Sequence, residues 1–187
     1  QIGAGPALEP PARYSDYAAW EAAESASPDM QGHIDYWLSR FAGSTLRVLD
    51  PPLHPPRPAV RTFNARRIDR VLGQDLIDAL RKTGAVAGTS LFATMFSAFA
   101  ATLHRLTAQD DLVVGIAAGG QMPSEMPSLV GHCVNLLPIR VAVDGQAPFN
   151  ALARQSASAL LDAFEHQTLT YGSLLKKLPV PRDPSRL

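Results

Sequence analysis

The sequence predicts a mixed α/β (α+β) fold, a mixed sheet flanked by helices. Three observations carry that expectation. Apolar residues recur at three and four positions in several stretches, the spacing of amphipathic helices. Two apolar runs, Asp110–Ala118 and Leu129–Arg140, have the length and composition of buried strands. Helices and strands mix without a regular βαβα rhythm.

The elements follow in order. Gln1–Arg13 is rich in Gly, Ala and Pro and reads as a flexible lead-in, with residues 14–187 as the folded part. Tyr14–Ala23 reads as a short helix, with Tyr14, Tyr17, Trp20 and Glu21 at helical spacing. Asp29–Ala42 is a second helix with Ile34, Trp37, Leu38 and Phe41 as its apolar stripe, and Gly43 suits its end. Asp50–Pro58 (DPPLHPPRP) is an extended connector, because proline lacks the N–H and fixes φ. Arg61–Leu72 has a strand-like pattern through Phe63, Ile68 and Val71, and Gln74–Lys82 is a helix.

Thr89–Thr107 is the clearest helix, capped by Thr89 or Ser90 after Gly88. Its residues Phe92, Met95, Phe96, Phe99, Leu103 and Leu106 form a stripe expected to be core. A strand over Asp110–Ala118 leads into a loop that carries Gly119, Gly120 and two prolines before Ser128. Leu129–Val143 is the central strand or strand pair, with a possible break at Pro138, and Asp144-Gly145 marks a turn. Phe149–His166 is amphipathic through Leu152, Ser156, Leu160 and Phe164, and Leu174–Leu178 is a last helical fragment.

Composition bounds the function. The chain has 187 residues with 46% apolar content, enough for a core, and 17 basic against 17 acidic residues. Zero net charge argues against nucleic acid as the main partner, since phosphate binding wants a basic surface. One cysteine excludes an internal disulfide framework and a Cys-based zinc site. No apolar run reaches the roughly 18–20 residues of a membrane span, and no secretion signal opens the chain, so the cytoplasm is the expected compartment and no membrane the expected partner. The first residue is Gln1 rather than Met, which suggests a piece of a longer polypeptide.

No catalytic constellation emerges from spacing alone. The five histidines are isolated in sequence, and there is no metal motif, nucleophile elbow or phosphate-binding glycine loop. Asp162 and His166 lie four apart and read as a solvated helix-surface pair. Cys133 reads as a buried structural thiol. Within LVGHCVNLLPIR at Leu129–Arg140, polar groups need partners if they are buried. His132 is either a satisfied core histidine or lining for something that passes beside the strand. Asn135 and Arg140 either fix neighbouring loops or serve the same lining.

Taken together, the unusual pieces resemble a known family. YSDYAAW at Tyr14–Trp20 resembles the Y-x-D-Y-A-x-W motif of condensation domains in nonribosomal peptide synthetases, matching at Tyr14, Asp16, Tyr17 and Trp20. VGHCVNLLPIR resembles V-G-x-F-V-N-T-x-x-x-R, matching at Gly131, Val134, Asn135 and Arg140, with Cys133 for the usual Phe and Leu136 for Thr. HQTLTYGSLL resembles H-Q-x-x-P-F-E-x-L at His166 and Gln167 but departs from P-F-E. RDPSR fits R-D-x-S-R, with Arg182 and Asp183. The stretch Ser90–Gly115 is similar to the family's long helix and strand. GIAAGGQ, with Gln121 where the family has Arg, together with GHCVNLLPIR looks like a subgroup often found beside polyketide synthase modules.

The resemblance implies a two-lobed fold like chloramphenicol acetyltransferase, in which this chain is the earlier, larger part of the second lobe. It implies amide formation between a donor thioester and an acceptor amine, each tethered to a carrier protein by a phosphopantetheine arm, with no cofactor bound directly. Gly119, Gly120, Gln121, His132 and Asn135 are the candidates for lining the substrate tunnel. The family's H-H-x-x-x-D-G motif does not occur in these 187 residues. The expected partners are therefore donor and acceptor carrier proteins, the N-terminal lobe and the remaining C-terminal strands. The isolated chain is expected to be inactive, and a non-catalytic docking remnant within a megasynthase is the alternative.

Overall fold

A computed structural model describes residues 10–43, 48–52, 58–121 and 123–180. Six helices and two strands follow in the order α1 (Tyr14–Ser25), α2 (Met30–Phe41), α3 (Gln74–Ala87), α4 (Leu91–Thr107), β1 (Asp111–Gly119), β2 (Val134–Ala142), α5 (Phe149–Glu165) and α6 (Tyr171–Leu175). The mixed α/β class holds. Among the described residues the sheet is a two-stranded antiparallel ladder, running from Asp111↔Ala142 to Gly119↔Val134.

That register sorts the strand residues onto two faces. Leu112, Val114, Ile116 and Ala118 share one face with Val141, Ile139, Leu137 and Asn135. Leu112, Leu137, Ile139 and Val141 are each about 1% exposed and join the core with Trp37, Phe96, Leu160 and Leu174. Full burial of a side chain of this size contributes about 1.5–3 kcal/mol. Helix α5 packs on β2 and on α4, and buries Leu152, Ala153, Ser156, Ala159, Leu160 and Ala163. Pro138 sits inside β2 opposite Gly115 without breaking it. Each strand of a two-stranded sheet is an edge strand, where a residue lacking an N–H is tolerated.

Several helix ends follow their local chemistry. Ser90 caps α4 by accepting the Ala93 N–H at 3.2 Å. Thr170 caps α6 in the same way through the Ser173 N–H at 3.3 Å. Gly43 takes φ +67° just past α2. No single helix among the described residues is long and apolar enough to cross a membrane.

Four expectations need correction. Arg61–Leu72 is not a strand: it is extended without a ladder partner, and Phe63, Ile68 and Val71 are 85%, 78% and 99% exposed. It pairs with neither β1 nor β2. The predicted central strand starts late, at Val134 rather than Leu129, because residues 129–133 form a loop against α1. The third helix runs on to Ala87, past the expected end at Lys82, and stops only where Gly88 turns left-handed.

The fourth correction concerns the stripe of α4. Phe96 is buried, yet Phe92, Met95, Phe99 and Leu106 are 51%, 42%, 51% and 55% exposed. The helix buries its small residues instead, Ala93, Thr94, Ser97 and Ala100. Close approach of α3 and α5 requires small side chains at the contact, so the bulky ones are turned outward. Asp50–Pro58 falls partly outside the described residues, as do Arg182 and Asp183.

Candidate functional site

A small pocket forms where α1, the end of β1, the start of β2 and the turn after α5 meet. Tyr17, Trp20, Glu21 and Glu24 of α1 line one side, Ala118, Gly119 and Gly120 another, and Asn135, Gln167, Thr168 and Thr170 the floor. Its volume is about 20 Å³. That is room for one water and far below the about 300 Å³ of a small-molecule pocket.

Asn135 organises the floor. Its Nδ2 donates to the carbonyls of Gln167 (2.8 Å) and Leu169 (2.9 Å). Its Oδ1 accepts the N–H groups of Leu136 and Tyr171, both at 2.9 Å. All four hydrogen-bonding positions of the amide are filled, so the side chain pins the 166–171 turn to β2. An apolar residue here would leave carbonyls facing the sheet without donors.

Gly120 sits where no other residue fits. A Cβ there would run into the Tyr17 hydroxyl and lie 2.7 Å from the Cys133 carbonyl oxygen. Its N–H donates to that same carbonyl. Tyr17 is 8% exposed, and burial, followed by the charge of Glu21, holds its phenol above the usual range. The rings of Tyr14, Tyr17 and Trp20 run along α1 with centroids 5.7 and 5.6 Å apart.

The predicted residues fall into several places. Gly119, Gly120, Asn135, Gln167, Tyr17 and Trp20 come together at the pocket. Gln121 lies beside it, with its Oε1 3.0 Å from where a Cβ on Gly119 would stand. His132 is exposed in the loop before β2, and its carbonyl accepts the Tyr14 hydroxyl at 3.1 Å. It is not a core histidine. Asp16 is exposed on the first turn of α1, and Cys133 is buried. Arg140 stands at the other end of the sheet, where Nε and Nη2 hold both oxygens of Asp111 at 2.8 and 2.7 Å and Nη1 donates to the Arg40 carbonyl at 2.7 Å. Hydrogen bonding to Arg140 lowers the Asp111 pKa.

His166 differs most from expectation. It does not rest on Asp162 as a solvated pair. Its Nδ1 lies 2.9 Å from Nδ1 of His33, its ring stacks on Tyr36 at 4.0 Å, and its carbonyl accepts the Trp37 indole N–H at 2.9 Å. Sequence reading also missed Glu24, Thr168 and Thr170. Glu24 was within reach, since 17, 20, 21 and 24 make a helical stripe. Nothing in sequence spacing joins His33 to a residue 133 positions on.

No group of three metal-ligating side chains occurs among the described residues. A family model described as Condensation domain matches residues 3–187. The chain belongs to the condensation-domain family. Tyrocidine synthase 2 of Brevibacillus parabrevis is 34% identical over 174 residues, covering 93% of this chain and 5% of that protein. Surfactin synthase subunit 1 of Bacillus subtilis (strain 168) is likewise 34% identical over 174 residues, with the same coverage. This condensation-domain chain spans 3–7% of the length of the curated relatives it matches.

Solved structures agree on the fold. SgcC5 from Streptomyces globisporus superposes with a TM-score of 0.74 at 27% identity, covering 94% of this chain and 39% of that one. The X-domain from teicoplanin biosynthesis superposes at 0.84 with 22% identity, covering 99% and 42%. The condensation-domain chain thus has the chloramphenicol acetyltransferase-like fold that its motifs implied.

Proposed function

We propose that this chain is most of the second lobe of a condensation domain in a nonribosomal or hybrid peptide synthetase, working in the cytoplasm. The family match over residues 3–187 carries the reading. The reaction is amide formation. The acceptor amine attacks the donor thioester carbonyl, the C–N bond forms, the C–S bond breaks, and the phosphopantetheine thiol leaves with a proton. Holding both reactants on tethered arms makes the encounter effectively unimolecular.

In this reading Gly119, Gly120, Gln121, His132 and Asn135 belong to one wall of the tunnel. Asn135 acts through the turn it pins rather than on substrate, because its amide is fully bonded within the chain. The pocket volume of about 20 Å³ supports a shared site, since an arm needs walls from elsewhere in the parent polypeptide. The histidine that handles the proton is likewise assigned to the H-H-x-x-x-D-G motif of the parent, outside these 187 residues.

The test uses the parent polypeptide with donor and acceptor carrier proteins loaded with aminoacyl thioesters, followed by intact mass. Transfer of the donor mass to the acceptor carrier protein is the expected result. Binding of carrier proteins without transfer would overturn amide formation in favour of a docking module. No binding and no transfer would overturn both.

A further inference from the structure

The half-buried His33–His166 contact has a chemical requirement. Two imidazole Nδ1 atoms 2.9 Å apart can be bonded only if one carries a hydrogen and the other a lone pair. At least one ring must therefore be neutral. With both rings protonated, two N–H groups and two like charges face each other.

The contact also sits at a junction. His33 is on α2, and His166 is the first residue after α5. The His166 carbonyl holds Trp37, and the next carbonyls along the turn, those of Gln167 and Leu169, hold Asn135 on the pocket floor. The groups facing the pair are Tyr36 on α2 and Asp162 and Glu165 on α5, with Arg40 near Tyr36.

We propose that His33 and His166 form a pH-sensitive latch between α2 and the 166–171 turn, closed while one ring is neutral and released when both are protonated. Burial, and then the neighbouring His33, already hold His166 below the ordinary histidine pKa, which agrees with a neutral ring in the closed state. Release loosens the turn that Asn135 pins and so the pocket floor. The latch is independent of the reaction assigned above, because it is read from protection rather than turnover.

The test is amide hydrogen exchange on the parent polypeptide at about pH 7.5 and about pH 5, corrected for the intrinsic pH dependence. Exchange across 30–37 and 166–171 is expected to rise several-fold at the lower pH in the unmodified protein. His33→Gln keeps a partner for the His166 Nδ1 without titrating, and it should abolish that rise. His166→Gln is the second variant, with the same expectation. Exchange in the unmodified protein that does not respond to pH, or an equal rise in His33→Gln, would overturn the latch.

Discussion

Asn135 is the residue on which the pocket depends most directly. Asn135→Ala removes four hydrogen bonds at once and strands the Gln167 and Leu169 carbonyls in a half-buried turn. An unsatisfied group in such a place costs about 1–3 kcal/mol, so the variant should lose about 2–4 kcal/mol in denaturant unfolding. Asp111 makes a separate prediction in pH. Its folded pKa lies below the unfolded value of about 3.9, so its ion pair with Arg140 stabilises the fold fully above about pH 4 and loses that contribution as pH falls further. Asp111 is 40% exposed, so solvent screens the pair, and Asp111→Asn should cost about 1 kcal/mol or less at neutral pH. Acid titration of stability should be shallower in the variant. At this scale much was legible: Asn135 and Gln167 stood out as polar residues in apolar or motif-bearing stretches. The His33 contact was not, because pairing across 133 positions is set by how α2 lies on the end of α5.

Among the elements, the α3–α4 corner shows how packing overrides pattern. The two helices meet at a 95° bend, and Gly84 lies at the contact. A Cβ there would stand 2.5 Å from Thr94 Oγ1 and 2.9 Å from the Thr89 carbonyl oxygen. Alanine favours a helix over glycine by about 1 kcal/mol, but backbone at 2.9 Å cannot yield as a flexible side chain can. Gly84→Ala should therefore destabilise, by roughly 1–2 kcal/mol, where helix propensity alone predicts a gain. A lower unfolding midpoint at unchanged denaturant slope is the expected reading. The same corner explains the misread stripe of α4. Periodicity identified the helix, but hydrophobic size could not reveal that Ala93, Thr94, Ser97 and Ala100 are among the residues it buries. Arg61–Leu72 differs from expectation as well, since its strand-like pattern does not bring it into the ladder of β1 and β2.

Across the whole molecule, the outward-turned residues are the consequence that matters. Phe92, Phe99 and Leu106 on α4, Val134 and Leu136 on β2, and Phe63, Ile68 and Val71 in the extended segment are all exposed. Both strands of the ladder also have an unpaired edge among the described residues. Single exposed apolar side chains are ordinary, but several large ones beside open strand edges favour association. Zero net charge removes the electrostatic repulsion that would oppose it. Expressed by itself, the 187-residue chain should self-associate. Sedimentation velocity should show mass above the 20.1 kDa monomer that grows with concentration. Phe92→Ser together with Phe99→Ser removes apolar surface that is half outside the core, so the pair should reduce association while leaving the helical content intact. A sharp monomer boundary for the unmodified chain at all concentrations would mean that this surface is covered from within the chain.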